Sequence, residues 1–392
     1  MNFAAFVSLG AALVCFLVAL HPFVTYPLSL RLLARIRQRQ IVPTVPAPPL
    51  SVAVCVCAYN EARVIAGRIE NLLALRQSMP GLEILVYVDA ASDGTAAIAR
   101  SYGNAITLVE AQARLGKTYG MNTLVGMTRA DIVVFSDANV TFAPDALEKL
   151  LAPFADAAVG CVCGHLRYAQ AGGETAATGS LYWRLEEHIK ALESATGSVM
   201  GADGSIFAIR RALHVAPPPH LIDDMFVSLS MLCAGARIVR QPDAFAFEDA
   251  VATQGEEFHR KIRIACQAFN VNRVLWPSLR LLPALDFYKY VSHKLLRWLT
   301  VYFLAAACLF AAIGLAALQA WGLLVAAGLA GASSGAFVGY GDMNLACRLR
   351  EIAAAFIATG IGVARSWRGE QFQTWTPPAS SRAAPAFQGG QA

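Results

Sequence analysis

The stretch that decides the fold is residues 51–61, Ser-Val-Ala-Val-Cys-Val-Cys-Ala-Tyr-Asn-Glu, in which an apolar run ends abruptly in a polar turn. A helical pattern follows it. The same order returns twice, with apolar runs at 83–88 and 131–135 that lead into Asp-Ala-Ala-Ser-Asp-Gly-Thr (89–95) and Ser-Asp-Ala-Asn (136–139). Apolar strand, polar turn and helix, three times in succession, predict an α/β domain with a mainly parallel central sheet.

The polar residues after these runs are candidates for a ligand site, because ligands bind beyond the carboxyl ends of parallel strands. They are Asn60, Glu61, Asp89, Asp93, Asp137 and Asn139. Any one of them can be an ordinary turn or helix-capping residue. Acidic groups that converge on one sheet edge repel each other unless a cation or a donor-rich ligand lies between them. Together they therefore predict a site.

The composition indicates that part of the chain lies in a membrane. The chain has 392 residues, of which 56% are hydrophobic and 15% charged, whereas a soluble domain carries roughly 25% charged residues. Such a composition excludes a disordered chain. The net charge of +5 fits a positive-inside topology, and no basic stripe with interleaved aromatic residues suggests a nucleic acid partner. The nine cysteines lie in apolar runs, and we expect buried free thiols in a reducing compartment.

The N-terminal region predicts a membrane anchor. Residues 3–20 carry no charge and are long enough to span a bilayer, and no basic residue precedes them as in a signal peptide. We therefore expect an uncleaved anchor over residues 1–30 and a basic, Pro-rich linker over 31–49. Arginines follow the apolar run at 31, 35, 37 and 39, which predicts an external N-terminus and places the domain after the anchor in the cytosol, as in a bacterial inner membrane protein.

The C-terminal region predicts further membrane segments. Residues 298–341 form an uncharged run that is too long for one span, so we expect a transmembrane helical hairpin over 295–341. Residues 343–366 mix charges into an apolar stretch and fit an amphipathic helix on the membrane surface better than a further span. The tail at 377–392, rich in Ala, Pro, Gly and Gln, is predicted to be disordered.

Between the membrane segments, the motifs resemble those of the family 2 glycosyltransferases, which have the GT-A fold. The matching motifs, in order, are residues 58–61, 89–95, Gly116-Lys117 with Asn122, 136–139, Gly-Ala-Asp-Gly-Ser at 201–205 and Leu-Ile-Asp-Asp at 221–224. Each motif alone is weak, whereas the ordered set is specific. The resemblance implies a GT-A domain over 50–280 and a hexosyltransferase-like enzyme. Such an enzyme moves a sugar, with inversion, from a nucleotide-diphosphate donor to an acceptor hydroxyl.

The resemblance also implies donor-site roles. Asp137 and Asn139 stand at the family's Asp-x-Asp metal motif, whose second acid is here an amide, and the expected cofactor is Mg²⁺ or Mn²⁺. Asp89 stands where family members contact the nucleoside. Asn60, Glu61 and Lys117 are expected to order or contact the nucleotide. A plain surface acid at Glu61 and a solvated loop lysine at Lys117 remain open.

On the acceptor side, Asp224 stands at the position of the family's catalytic base. Inverting transfer needs a base that takes the proton of the acceptor hydroxyl as its oxygen attacks. Asp223 and Asp224 begin a predicted helix, so one carboxylate can cap the helix while the other faces the cleft; alternatively, both only cap it. Asp203, flanked by glycines that allow close approach, is expected to contact the acceptor together with Asp223.

A basic helical segment follows at 257–264, with Arg260 and Arg263 on one face. Their guanidinium groups can hold the diphosphate leaving group or can lie on lipid headgroups. Processive synthases that resemble this chain carry Gln-x-x-Arg-Trp here, whereas this chain has Arg260 for the Gln and Ile264 for the Trp. With three predicted spans, this departure favours transfer of one or a few sugars.

Two other functions stay open from the sequence. One is a processive polysaccharide synthase subunit completed by biosynthetic partner subunits. The other is a catalytically inactive membrane scaffold, motivated by Asn139 in the metal motif. For the preferred enzyme, the expected partners are a nucleotide-sugar donor, a saccharide or lipid-linked acceptor and membrane lipid.

Overall fold

The structure is a computed structural model that describes residues 3–37, 50–169, 180–249, 254–340 and 344–374. Its strands are β1 (Val52–Ala58), β2 (Glu83–Val88), β3 (Thr107–Glu110), β4 (Ile132–Asp137), β5 (Val140–Phe142), β6 (Val159–Ala169), β7 (Ile206–Arg210) and β8 (Arg237–Asp249). The helices around the sheet are α3 (Ile65–Ser78), α4 (Thr95–Arg100), α5 (Lys117–Met127), α6 (Ala146–Leu151), α7 (Ser180–Ala195), α8 (Asp223–Cys233) and α9 (Gln254–Leu279). The others are α1 (Phe3–Leu20), α2 (Thr25–Ile36), α10 (Ala284–Tyr290), α11 (Leu296–Ala317), α12 (Trp321–Tyr340) and α13 (Asn344–Trp367).

All eight strands form one sheet in the order β3-β2-β1-β4-β7-β6-β8-β5. Strands β1 to β4 are parallel, as the three strand-turn-helix units predict. Beyond β4 the sheet is mixed, because β7 runs antiparallel to both β4 and β6, and β5 runs antiparallel to β8. The α/β class is confirmed, and the parallel arrangement holds for the first half of the sheet.

The sheet is buried on both faces, which explains the continuous apolar sequence of β1. Side chains of successive strand residues point to opposite faces. Val54 and Val56 therefore pack in the cluster that contains Ile65 and Ile69 of α3, while Cys55 packs in the opposite cluster, with residues of α5 and α8. The eight cysteines whose side chains the structure describes are free, and Cys308 on α11 is exposed rather than buried.

Among the residues that the structure describes, two helical stretches are long and apolar enough to cross a membrane, Phe3–Leu20 and Ala284–Ala317. They pack together closely: a Cβ added at Gly314 of α11 would lie 2.7 Å from Cγ of Leu9 in α1. A π-helical segment, Val291–Leu295, lies between α10 and α11 within the second stretch. Gln319, in the turn after α11, has a left-handed backbone conformation, and α12 begins two residues later. Membrane crossing and its orientation stay predictions.

The structure differs from the expected boundary between the anchor and the linker. Residues 31–36, assigned to the linker, are helical in α2, because Leu30 and Tyr26 pack against Ile189 of α7 and extend the helix past the anchor. The rest of the linker, at 38–49, and the tail at 377–392 lie outside the described residues.

The predicted surface helix is α13, which packs against both α9 and α11. A Cβ at Gly362 would lie 2.6 Å from the Ile262 carbonyl oxygen of α9, and one at Gly360 would lie 2.4 Å from Val301 of α11. Both positions accordingly need glycine for close helix packing. Ile352 and Ile357 of α13 are exposed. Placement on a membrane surface stays a prediction.

Candidate active site

The turns that follow β1 and β2 are joined by hydrogen bonds at the carboxyl edge of the sheet. Asn60, in a left-handed conformation, accepts a hydrogen bond from the Ser92 backbone N–H at 2.7 Å, and its amide nitrogen donates to Ser92 Oγ at 3.1 Å. The Glu61 N–H donates to Thr95 Oγ1 at 2.8 Å. Asp93 accepts from the Ala62 and Thr95 backbone N–H groups. Asn60 therefore shapes the turn that would face a nucleotide.

Asp89, at the end of β2, fixes the loop before α5. It is only 4% exposed, and its two carboxylate oxygens accept hydrogen bonds from the backbone N–H groups of Leu115 and Gly116 at 2.8 and 2.9 Å. Gly116 has φ +92°, a left-handed conformation that favours glycine. Asp89 therefore has a structural role within the protein, and its nucleoside contact stays a prediction.

The segment after α13 reaches this loop from the far end of the chain. Gln373 donates from its amide nitrogen to the Leu115 carbonyl at 3.0 Å, and a Cβ at Gly116 would lie 2.2 Å from the Gln373 carbonyl oxygen. Gln267 of α9 holds the segment by donating to the Phe372 carbonyl at 2.8 Å. Sequence reasoning missed this contact, since no local pattern marks a pairing between residues 258 positions apart.

Lys117 links an acid predicted for the donor side to an acid predicted for the acceptor side. Its ammonium nitrogen lies 2.7 Å from Asp137 Oδ1 and 3.6 Å from Asp223 Oδ2. Burial opposes the charged form of Lys117, but the charges of Asp137 and Asp223 outweigh it, so the pKa of Lys117 is raised. The lysine is thus a fixed positive charge between two acids that lie far apart in sequence. The alternative of a solvated loop lysine is not what the structure has.

Asp223 and Asp224 begin α8, as predicted. Asp223 is buried, while Asp224 is half-buried and accepts a hydrogen bond from the Met225 backbone N–H at 2.6 Å. Burial and the neighbouring Asp223 charge raise the pKa of Asp224 to about 7, against the opposing effect of Lys117. A carboxylate with that pKa is suited to accept a proton near neutral pH.

The Gly-Ala-Asp-Gly-Ser loop packs against Asp224. A Cβ at Gly204 would lie 2.7 Å from Asp224 Oδ2, so the glycine makes room for the carboxylate. Asp203 lies 3.5 Å from the ammonium nitrogen of Lys190 in α7, and its charge also raises the pKa of Asp224. Lys190 was not identified from the sequence because α7 carries no motif. The predicted acceptor residues and the predicted base therefore form one cluster.

The acceptor side of this cluster is joined to the second apolar stretch. A Cβ at Gly201 would lie 3.8 Å from Cε of Lys294, just before α11. The buried His293 lies between two acids of α7, with its ring nitrogens 2.8 Å from Glu193 Oε1 and 3.1 Å from Glu186 Oε2. Charged groups thus link α7 to the first part of the second apolar stretch.

Asp137 and Asn139 lie where β4 turns into β5. The amide nitrogen of Asn139 donates to Glu248 Oε1 of β8 at 2.9 Å. Burial and the Asp137 charge raise the pKa of Glu248 to about 7, while Arg260 acts in the opposite direction. The guanidinium group of the buried Arg68 of α3 lies over the Phe142 ring, 4.1 Å from the ring centroid. Burial lowers the pKa of Arg68 to about 9, although the charge of Asp137 acts in the opposite direction. The sequence did not identify Glu248 or Arg68.

Arg260 and Arg263 of α9 face this acidic side. Arg260 is exposed and lies 3.2 Å from Glu257 Oε2 of the preceding turn. Arg263 donates to Gln267 Oε1 at 3.0 Å. Burial and the charge of Arg260 lower the pKa of Arg263 to about 10, whereas Asp137 acts against the shift. The two arginines can bind an anionic group, while Asp137 and Glu248 beside them can bind a cation.

Residues 53–215 match the family model described as Glycosyl transferase family 2. An N-acetylglucosaminyltransferase of Rhizobium leguminosarum bv. viciae is 25% identical over 276 residues, which are 64% of this chain and 64% of that protein. An N-acetylglucosaminyltransferase of Rhizobium meliloti (strain 1021) is 29% identical over 260 residues, 61% of this chain and 60% of that protein. The chain thus spans less than two thirds of the length of these curated relatives.

A solved structure shows a similar fold. The mannosyltransferase PcManGT from Pyrobaculum calidifontis, in complex with GDP-Man and Mn²⁺, superposes with a TM-score of 0.72 and 23% sequence identity. The superposition covers 93% of this chain and 100% of that one, so the likeness extends from the sheet into the apolar helices.

Proposed function

We propose that this chain, a member of the family 2 glycosyltransferases with a GT-A fold, transfers a sugar with inversion from a nucleotide-diphosphate donor to an acceptor hydroxyl at a membrane. One observation carries the proposal. Lys117 lies between Asp137, the expected donor-side acid, and Asp223, next to the expected base. Donor and acceptor groups from separate parts of the chain thereby meet in one pocket, as a direct transfer requires.

Asp224 acts as the general base. It accepts the proton of the acceptor hydroxyl while that oxygen forms a bond to the anomeric carbon of the donor. The bond from the anomeric carbon to the nucleotide diphosphate breaks in the same step, on the opposite face of the sugar, so the configuration inverts. The raised pKa of Asp224, about 7, supports this role because the carboxylate is a stronger base than a surface aspartate.

The leaving diphosphate is held by positive charge. Arg263 on α9 and Lys117 at the start of α5 are placed to neutralise it, with Arg260 at the exposed rim. Because Lys117 also binds Asp137, its ammonium group stays fixed before the donor arrives. This pre-positioning lowers the entropic cost of the reaction.

The donor site suits a divalent cation. Asp137 supplies a carboxylate and Asn139 an amide oxygen, both hard oxygen ligands of the kind that Mg²⁺ and Mn²⁺ prefer. When bound, such a cation would neutralise charge that develops on the diphosphate. The alternative of an inactive scaffold is disfavoured, since an amide at position 139 keeps a ligand oxygen and the pocket retains its base.

The acceptor is proposed to be membrane-held, either a saccharide carrier or a lipid-linked glycan. Supporting this, the acceptor-side loop at Gly201 approaches Lys294, which lies two residues before α11 begins. Arginines after α1 support a cytosolic site in the inner membrane of a bacterium. Ile264, in place of the synthase tryptophan, supports transfer of one or a few sugars rather than processive synthesis by a multi-subunit complex.

The test uses the full chain in detergent with a panel of nucleotide sugars. Asp224→Asn is expected to lower transfer by about a thousandfold or more while nucleotide binding is retained, because only the base is lost. Asp145→Asn, which removes a surface acid paired with Lys149, is the matched control and should leave transfer unchanged. Undiminished transfer by Asp224→Asn would refute the assignment. Product length on a labelled acceptor separates single transfer from processive synthesis.

A further inference from the structure

Glu248 of β8 lies beside the metal motif although it is 109 residues away in sequence from Asn139. The antiparallel pairing of β5 with β8 sets Glu248 opposite Val140, the residue that follows Asn139. Across this pair, Glu248 Oε1 accepts the hydrogen bond from the Asn139 amide nitrogen at 2.9 Å. Strand pairing, rather than a flexible loop, therefore holds the carboxylate at this position.

The surroundings of Glu248 are acidic. The charges of Asp137 and of Asp203, on the predicted acceptor side, both act against the ionised Glu248 carboxylate. Arg260 and the Asn139 hydrogen bond oppose these effects, and Lys117 is bound to Asp137. Two carboxyl groups held close together in a partly buried pocket repel each other, and a cation between them removes the repulsion.

We propose that Glu248 supplies the second carboxylate of the divalent cation site, in place of the acid that Asn139 lacks. The inference rests on the proposed function. With Glu248 included, the site has the negative charge of two carboxylates, as an Asp-x-Asp motif would provide. Because the amide nitrogen of Asn139 donates to Glu248, its amide oxygen is the atom left for the cation. The three groups form a set of hard oxygen ligands from β4, the following turn and β8.

A different role for Glu248 predicts different behaviour. If the carboxylate served only to hold Arg260, its charge would affect diphosphate binding and not cation binding. If it served only to fix the Asn139 side chain, then glutamine, whose amide oxygen also accepts a hydrogen bond, would replace it without loss. Both alternatives can therefore be separated from the proposal by isosteric substitutions.

The experiment titrates the full chain in detergent with Mn²⁺ alone and follows free Mn²⁺ by electron paramagnetic resonance. Glu248→Gln removes the charge and keeps the shape, and it is expected to raise the Kd for Mn²⁺ roughly 10- to 100-fold. The double variant Glu248→Gln/Asn139→Asp returns the carboxylate to the motif and reverses the hydrogen bond, since Gln then donates to Asp. This variant should recover most of the lost affinity.

Two reference variants complete the design. Asp137→Asn should lose Mn²⁺ binding, and Glu148→Gln, at an exposed position on α6, should bind as the unmodified chain does. Circular dichroism melting confirms that each variant is folded. Unchanged binding by Glu248→Gln, or a loss that Asn139→Asp does not recover, would overturn the role of Glu248 while the Asp137 site stands. A chain that binds no Mn²⁺ before any substitution would overturn the cation site as a whole.

Discussion

The base assignment predicts how transfer depends on pH. Asp224 must be ionised to accept a proton, and its pKa is raised to about 7 by burial and by Asp223. The ionised fraction is then about one half at pH 7 and about one tenth at pH 6. Below the pKa of Asp224, the kcat/KM for transfer is therefore expected to fall about tenfold for each pH unit, and above about pH 8 it should be constant. The pH at which the profile changes slope is its break.

The assay measures initial rates with saturating acceptor and limiting donor over roughly pH 5 to 9, a range that brackets the break. Asp223→Asn removes a charge that raises the pKa of Asp224, so the break should move to lower pH even if the maximal rate also changes. The position of the break is the readout, and it separates an electrostatic effect from a general loss of activity. A profile flat from pH 5 to 9, or a break that Asp223→Asn leaves in place, would refute the reasoning.

Two further substitutions test the packing around the pocket. Gly204→Ala places a Cβ 2.7 Å from Asp224 Oδ2 and should lower kcat by about tenfold or more, with nucleotide affinity measured by calorimetry unchanged; equal losses in both would point to misfolding. Asp89→Asn keeps one acceptor oxygen for the Leu115 and Gly116 N–H groups and should leave the other N–H unpaired, costing about 1–3 kcal/mol of unfolding free energy and raising the donor KM; an unchanged melting temperature would contradict this.

The parallel half of the sheet could be predicted because each of its units is encoded locally. An apolar run, a polar turn and a helix lie next to one another in sequence, and β1, β2 and β4 follow this order. The acids at their ends were identified for the same reason, whereas Asp223 and Asp224 were identified because Leu-Ile-Asp-Asp at 221–224 resembles the catalytic-base motif of the family 2 glycosyltransferases. The contact of Lys117 with Asp137 then follows from the common edge of a parallel sheet, whereas its approach to Asp223 depends on α8, which follows the antiparallel strand β7.

The mixed half of the sheet could not be predicted in the same way. The strand β8 contains Pro242 and charged residues within its length, so it has no clean apolar pattern. Its pairing with β5 and β6 depends on contacts between distant parts of the chain. Glu248 was missed for this reason, and Gln373 was missed because its contact with Leu115 joins residues 258 positions apart in the chain.

The pocket explains why an amide at position 139 need not mark a loss of function. What a cation site requires is negative charge and oxygen ligands at suitable places, not acids at two fixed positions of one motif. A second acid at position 139 would stand beside Glu248 and add a third carboxylate to Asp137 and Glu248, and the repulsion would have to be offset before any cation bound. Asn139 instead donates a hydrogen bond to Glu248. In the proposed site, Glu248, which only the folded sheet brings near, thus takes the place of the acid that position 139 lacks.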